Sequence, residues 1–165
     1  MISAIVYDSL TGSCQKYANL LSARLHVPAF SLKNAPVRSD GKIIYIGWLF
    51  AGKIVGFKKA AKKFNIAAVV QVGMAPVGPG SDEICREINS VPADTAVFCR
   101  QGAFNMGRLP LHFRLIMKLK NKDIVSKLQA KGQLNAQEQA LYTMASTGVG
   151  QPADWNVDDI AAWAE

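Results

Sequence analysis

The chain reads as an α/β domain in which a parallel sheet is covered by helices on both faces. Three observations predict this. Five short runs of apolar and β-branched residues recur along the first two thirds of the sequence. Those runs are continuous rather than alternating, as strands buried on both faces require. Amphipathic helical patterns separate most of them, which is the signature of crossover connections in a parallel sheet.

Residues 2–7, Ile-Ser-Ala-Ile-Val-Tyr, form the first predicted strand. A turn follows at once, and 14–25 is predicted as a helix with Tyr17, Leu20, Leu21 and Leu25 on one face. His26 at its end suits the negative pole of the helix dipole. Pro28–Leu32 is a short second strand, and Asn34–Gly41 is loop. Lys42–Gly47 is the third strand. Residues 53–64, with five lysines, are expected to be a basic amphipathic helix. Ala67–Val72 is the fourth strand, followed by a Gly/Pro loop from Gly73 to Gly80. Ser81–Ile88 is a helix with Ser81 as its expected N-cap. Thr95–Arg100 is the fifth strand.

The remainder reads as a helical extension, 111–150, before a last helix. Leu111–Lys120 is basic, with Leu111, Leu115 and Leu119 in line; these leucines are expected to cover a sheet edge, or else to lie on a membrane surface. Residues 121–133 are mostly polar. Asn135 opens a further helix with Glu138 as capping-box partner, and Thr147–Pro152 breaks it. Asn156–Trp163 closes the chain, with Val157, Ile160 and Trp163 on one face.

The 165 residues suit one domain, 1–165, and an apolar half of the composition is enough for a real core. No run approaches the ~20 apolar residues of a membrane span. The first residues lack a basic stretch and enter a strand, unlike a signal peptide. Three cysteines, Cys14, Cys85 and Cys99, without CxxC spacing read as reduced thiols of a cytoplasmic protein. Two distant histidines offer no metal-ligand pattern. The net charge of +7 favours an acidic partner protein or an anionic membrane surface. Nucleic acid is disfavoured because no basic, aromatic-rich strand is present.

The candidate chemistry sits in the first turn, Ser9-Leu10-Thr11-Gly12-Ser13-Cys14. Unpaired N–H groups at a helix start, with the dipole behind them, attract an anion. Ser9, Thr11 and Ser13 add hydroxyls, and Gly12 lets the backbone approach closely. No lysine or arginine lies inside the turn, so it is neither a Walker loop nor a dinucleotide fingerprint. The spacing alone fits a plain β-to-α turn capped by Ser and Thr equally well.

Ser9-x-Thr11-Gly12-Ser13 resembles the phosphate loop of the flavodoxins, Thr/Ser-x-Thr-Gly-Asn-Thr. It departs from that pattern at Ser13 and Cys14. Gly47-Trp48-Leu49-Phe50-Ala51-Gly52 after the third strand, and Met74-Ala75-Pro76-Val77-Gly78 after the fourth, stand where flavodoxins carry their two flavin-flanking loops. The resemblance implies a flavodoxin-like three-layer sandwich with a five-stranded sheet of order 2-1-3-4-5. It also implies flavin mononucleotide (FMN) held by residues Ser9 to Cys14, Trp48 to Ala51 and Met74 to Val77, with Trp48 as first stacking candidate and Phe50 as second. Three further segments, Phe98–Phe104, Arg114–Lys118 and Ala153–Trp155, resemble the flavodoxin-like protoporphyrinogen oxidases. The implied function is an FMN-dependent electron-transfer protein, or a flavin-dependent oxidoreductase acting on a quinone-linked or porphyrinogen substrate. The alternative is a flavodoxin-fold domain that has lost flavin and serves as a binding module. Cys14 reads as a small filler rather than a redox thiol, and Cys85 and Cys99 as buried hydrophobes. No catalytic residue stands out, and the cytoplasmic assignment leaves room for peripheral membrane attachment.

Overall fold

The computed structural model describes residues 1–36 and 41–165; part of the expected loop at 34–41, residues 37–40, lies outside the described residues. Five strands form one parallel sheet: β1 (Ile2–Asp8), β2 (Ala29–Ser31), β3 (Lys42–Phe50), β5 (Asn65–Gly73) and β6 (Ala96–Gln101). A two-residue strand, β4 (Lys53–Ile54), pairs antiparallel with the end of β3. The spatial order is β2-β1-β3-β5-β6. With β4 set aside this is the 2-1-3-4-5 order of the flavodoxin-like sandwich, as the sequence predicts.

The strands lie where apolar runs place them because both sheet faces are buried. Ile44 and Ile46 point to one face and Tyr45 to the other, and all three are fully inaccessible. Helices α1 (Ser13–Leu25) and α6 (Asp158–Ala164) cover the first face, packing Tyr17, Leu21 and Ile160 on Ile5, Ile44 and Val70. Helices α2 (Phe57–Ala61) and α3 (Ser81–Asn89) cover the second, where Phe57 and Cys85 meet Tyr45, Val69 and Cys99. Cys85 and Cys99 are buried thiols within that core. Arg100 ties α6 to β6 through an ion pair with Asp159 and a hydrogen bond to the Asn156 carbonyl.

Several sequence expectations are corrected. The helix expected over 53–64 is only α2. Ala51 and Gly52 both adopt positive φ, 49° and 81°, and fold 49–54 into a tight hairpin instead. Gly56, at φ 79°, then starts the helix. Gly80, not Ser81, is the N-cap of α3; the Ser81 hydroxyl turns back to the Gly78 carbonyl. In α1 the buried face is Cys14, Tyr17, Ala18 and Leu21, while Leu20 is exposed. His26 caps that helix in the left-handed conformation.

The larger correction concerns the extension. One continuous helix, α4 (Leu111–Lys131), includes the polar stretch 121–131 and pairs with α5 (Ala136–Thr147) rather than lying on a sheet edge. The Asn135–Glu138 capping box forms as expected. The break after α5 contains a strand, β8 (Val149–Gly150), paired antiparallel with β7 (Phe104–Asn105) just after the sheet. This pairing anchors the helical hairpin above the carboxyl ends of the strands. In α6, Ile160 is buried but Trp163 is 43% exposed.

Gly56 tests this packing. A Cβ there would overlap the Tyr45 hydroxyl, which donates 2.7 Å to the Val55 carbonyl, and would sit in a left-handed backbone. Gly56→Ala should lower unfolding free energy by about 2 kcal/mol or more, read from urea denaturation. An unchanged midpoint would contradict the packing described.

Candidate functional site

The parallel register sets the site. Asp8 pairs with Gly47, Trp48 with Val72, and Gly73 with Gln101, so these strand ends share one edge of the sheet. In open α/β sheets that carboxyl edge, where the connections diverge between β1 and β3, is where ligands bind. Here it carries two adjoining chambers of about 100 and 280 Å3, which share Leu49, Phe50, Gly73, Met74 and Met117 as walls. Together they reach the lower end of the ~300–1,000 Å3 range of small-molecule sites.

The smaller chamber opens on the first turn. Ser9, Leu10, Thr11, Ser13 and Cys14 line it, together with Trp48, Leu49, Phe50 and Met74. Ala51, Ala75, Pro76 and Val77 line the larger chamber. Gly12 stands behind the turn as the N-cap of α1, at φ 100° with no side-chain cap. The structure thus gathers the two loops and the turn around one cleft.

The turn leaves backbone amides free at the start of α1. The first helical bond of α1 runs from the Lys16 N–H to the Gly12 carbonyl, 2.9 Å. The amides of Ser13, Cys14 and Gln15 therefore lack a partner in the helix ladder. The Gly12 amide donates to Ser9 Oγ at 3.1 Å, which leaves the Ser9 O–H free to donate onward. Ser13 is different: its hydroxyl donates to the Ala103 carbonyl at 3.3 Å. Of the three hydroxyls in the turn, those of Ser9 and Thr11 remain for a phosphate. Cys14 is buried, and burial pushes its thiol far above the usual thiol range, with the Asp8 charge adding to the rise. It is a neutral filler, not a thiolate.

Each flanking loop is held by one amide side chain. Asn89, buried at the end of α3, accepts from the Ile54 amide at 2.8 Å and donates to the Gly52 and Cys85 carbonyls. It thereby braces the hairpin that carries Trp48 to Ala51. Gln101, at the end of β6, donates to the Met74 carbonyl at 3.1 Å and fixes the second loop. Gly102 follows, where any Cβ would strike Val72 and Ser13; the absence of a side chain lets β6 pass close to the start of α1.

Trp48 is oriented by its own bond. Its Nε1–H donates to Asp8 Oδ1 at 3.2 Å. Its ring lies 5.9 Å from Phe50 and 5.6 Å, edge-on, from Phe113, and Phe50 and Phe113 meet at 5.2 Å. This trio is the aromatic mouth of the cleft.

Sequence reasoning missed Asp8, Asn89, Phe104, Leu109, Phe113 and Met117. The last three recur at every fourth position, as Leu111, Leu115 and Leu119 do. The row that faces the cleft is the one that mixes aromatic and sulfur side chains. That spacing was a usable signal. Asp8 and Asn89 carried none beyond their polarity.

Strand order defines a flavodoxin-like α/β sandwich, with a cleft at its carboxyl edge. Among solved structures, the chain is similar to one described as a flavodoxin from the domain Archaea, with 16% identity and a TM-score of 0.41 over 61% of this chain and 85% of that one. No protein-family model matches the chain, and no curated protein matches it.

Burial of Cys14 and Tyr17 has a pH consequence. Desolvation raises both, Tyr17 to about 12 from an ordinary 10.0. The folded state keeps protons that the unfolded chain releases, so stability is full below the ordinary thiol value of 9.0 and falls as pH rises toward 12. Urea midpoints measured from pH 7 to 11 should stay level and then decline. Iodoacetamide at pH 8 should leave Cys14 unmodified until the chain is unfolded; rapid labelling of the native protein would contradict its burial.

Proposed function

We propose that this chain binds FMN in the carboxyl-edge cleft and works as an electron-transfer flavoprotein. The observation that carries the reading is the cation-free turn at Ser9–Cys14, with uncapped amides, opening into the same cleft as an aromatic mouth. The phosphate would be met by the Ser9 and Thr11 hydroxyls and by the amides of Ser13, Cys14 and Gln15. A dianion held without a lysine suits a helix start, where backbone dipoles supply the positive charge. The hairpin at Trp48–Ala51 and the loop at Met74–Val77 would flank the ring. When bound, the flavin supplies the redox chemistry; the protein contributes position and surroundings.

The chain's own residues define that environment. Asp8 holds the Trp48 indole in one orientation, so the ring is a preformed wall rather than a mobile lid. Asn89 and Gln101 fix the two loops. Leu109, Phe113 and Met117 line the outer side with apolar surface. An apolar enclosure with few charges disfavours added negative charge, which tunes a bound redox group toward lower potential.

Titration of the purified protein with FMN tests this directly. Saturable one-to-one binding with a shifted visible band is expected. Thr11→Val and Ser9→Ala should each weaken it about tenfold or more, the loss of one charge-assisted hydrogen bond. Trp48→Ala should also weaken it and should change the flavin band. A chain that takes up no FMN would leave a flavodoxin-fold binding module and end the electron-transfer reading.

A further inference from the structure

We propose that the outward ridge of α4 docks this protein on an anionic lipid surface. Leu111, Leu115 and Leu119 are 78%, 64% and 68% exposed. They form one row along the N-terminal half of the helix. The opposite row, Phe113, Met117 and Asn121, is turned into the protein, so the helix is already packed and the leucines are surplus to its folding. An exposed row of whole leucines on an otherwise polar surface marks an interaction site.

The charges beside the row choose the occupant. Arg114, Lys118 and Lys122 border it, Lys120 turns toward the larger chamber of the cleft, and the first acidic residue of the helix, Asp123, is paired with Lys127 at 2.8 Å. Among the described residues, none forms a hydrogen bond or ion pair with the amino groups of Lys118, Lys120 or Lys122. Basic side chains flanking leucines on one helix are the pattern of interfacial amphipathic helices, in which lysine stems reach to headgroups while leucines enter the acyl boundary. The ridge is convex. A fluid lipid interface closes around such a ridge, whereas a protein partner would need a matching groove. The net charge of +7 acts in the same direction.

No helix of the described residues is long and apolar enough to cross a membrane, so the attachment would be superficial and reversible. Phe113 and Met117 line the cleft from the opposite row of the same helix, so docking would leave α4 between the lipid and the cleft. Docking itself does not depend on FMN being bound.

Co-sedimentation with vesicles tests the proposal, using phosphatidylcholine alone and phosphatidylcholine mixed with phosphatidylglycerol. The protein should bind the anionic vesicles at low salt at least roughly tenfold more tightly than the neutral ones, and salt should release it. Leu115→Ser with Leu119→Ser should abolish binding, and Lys118→Gln with Lys122→Gln should weaken it roughly tenfold. All four positions are exposed, so urea midpoints and FMN titration should match the parent. That separates loss of docking from loss of folding or of the flavin site. The proposal is overturned if anionic vesicles are not bound at low salt, or if the leucine variant binds them as the parent does. It is also overturned if sedimentation shows instead a leucine-dependent dimer, or an acidic protein takes the ridge while vesicles do not.

Discussion

Everything at the cleft depends on how β3 is held. It lies between β1 and β5, paired in parallel with both, and its residues Ile43 to Gly47 are buried. Parallel pairing forces all the strands to end on the same side. That one constraint brings the turn after β1, the hairpin after β3, the loop after β5 and the glycine after β6 together, although they are distant in sequence. The side chains at those ends then only refine a geometry that the backbone has already imposed.

The refinement is done by few groups. A carboxylate holds the indole, one amide braces each loop, and a glycine allows the close approach of β6 and α1. None of these is exposed in a way that would make it a surface ornament. The two amides, Asn89 and Gln101, satisfy backbone groups that would otherwise be left without partners at the rim of a buried sheet, where an unmet donor or acceptor is costly. Rigidity at the cleft and satisfaction of the rim are therefore the same set of bonds.

The sheet was legible in the sequence because burial on both faces leaves continuous apolar runs that few other structures explain. The turn after the first strand was legible because hydroxyls and glycine cluster there. The helical extension was not. Two rows with a four-residue period, Leu109/Phe113/Met117 and Leu111/Leu115/Leu119, run along the same segment, and hydrophobicity alone favours the leucines as the inner face. Only tertiary packing decides, and it chose the aromatic row, because Trp48 and Phe50 offer edges for Phe113 to meet. The helix expected over 53–64 failed for a different reason. Its lysines fit a helical face, but Ala51, Gly52 and Gly56 turn the chain with positive φ, which no periodicity reveals. Asp8, before the turn, has no pattern at all; its role exists only once β3 lies beside β1.

Arg100 and Gln101 are neighbours in one strand, and a pleated strand turns successive side chains to opposite sides. One reaches the start of the last helix; the other reaches the loop after β5. The last helix and the lip of the cleft are thus tied to neighbouring residues of one strand. Displacement of the terminal helix, by a fused partner or by a bulky tag, would bear on two adjacent residues that end at the lip of the cleft, more than eighty positions away along the chain.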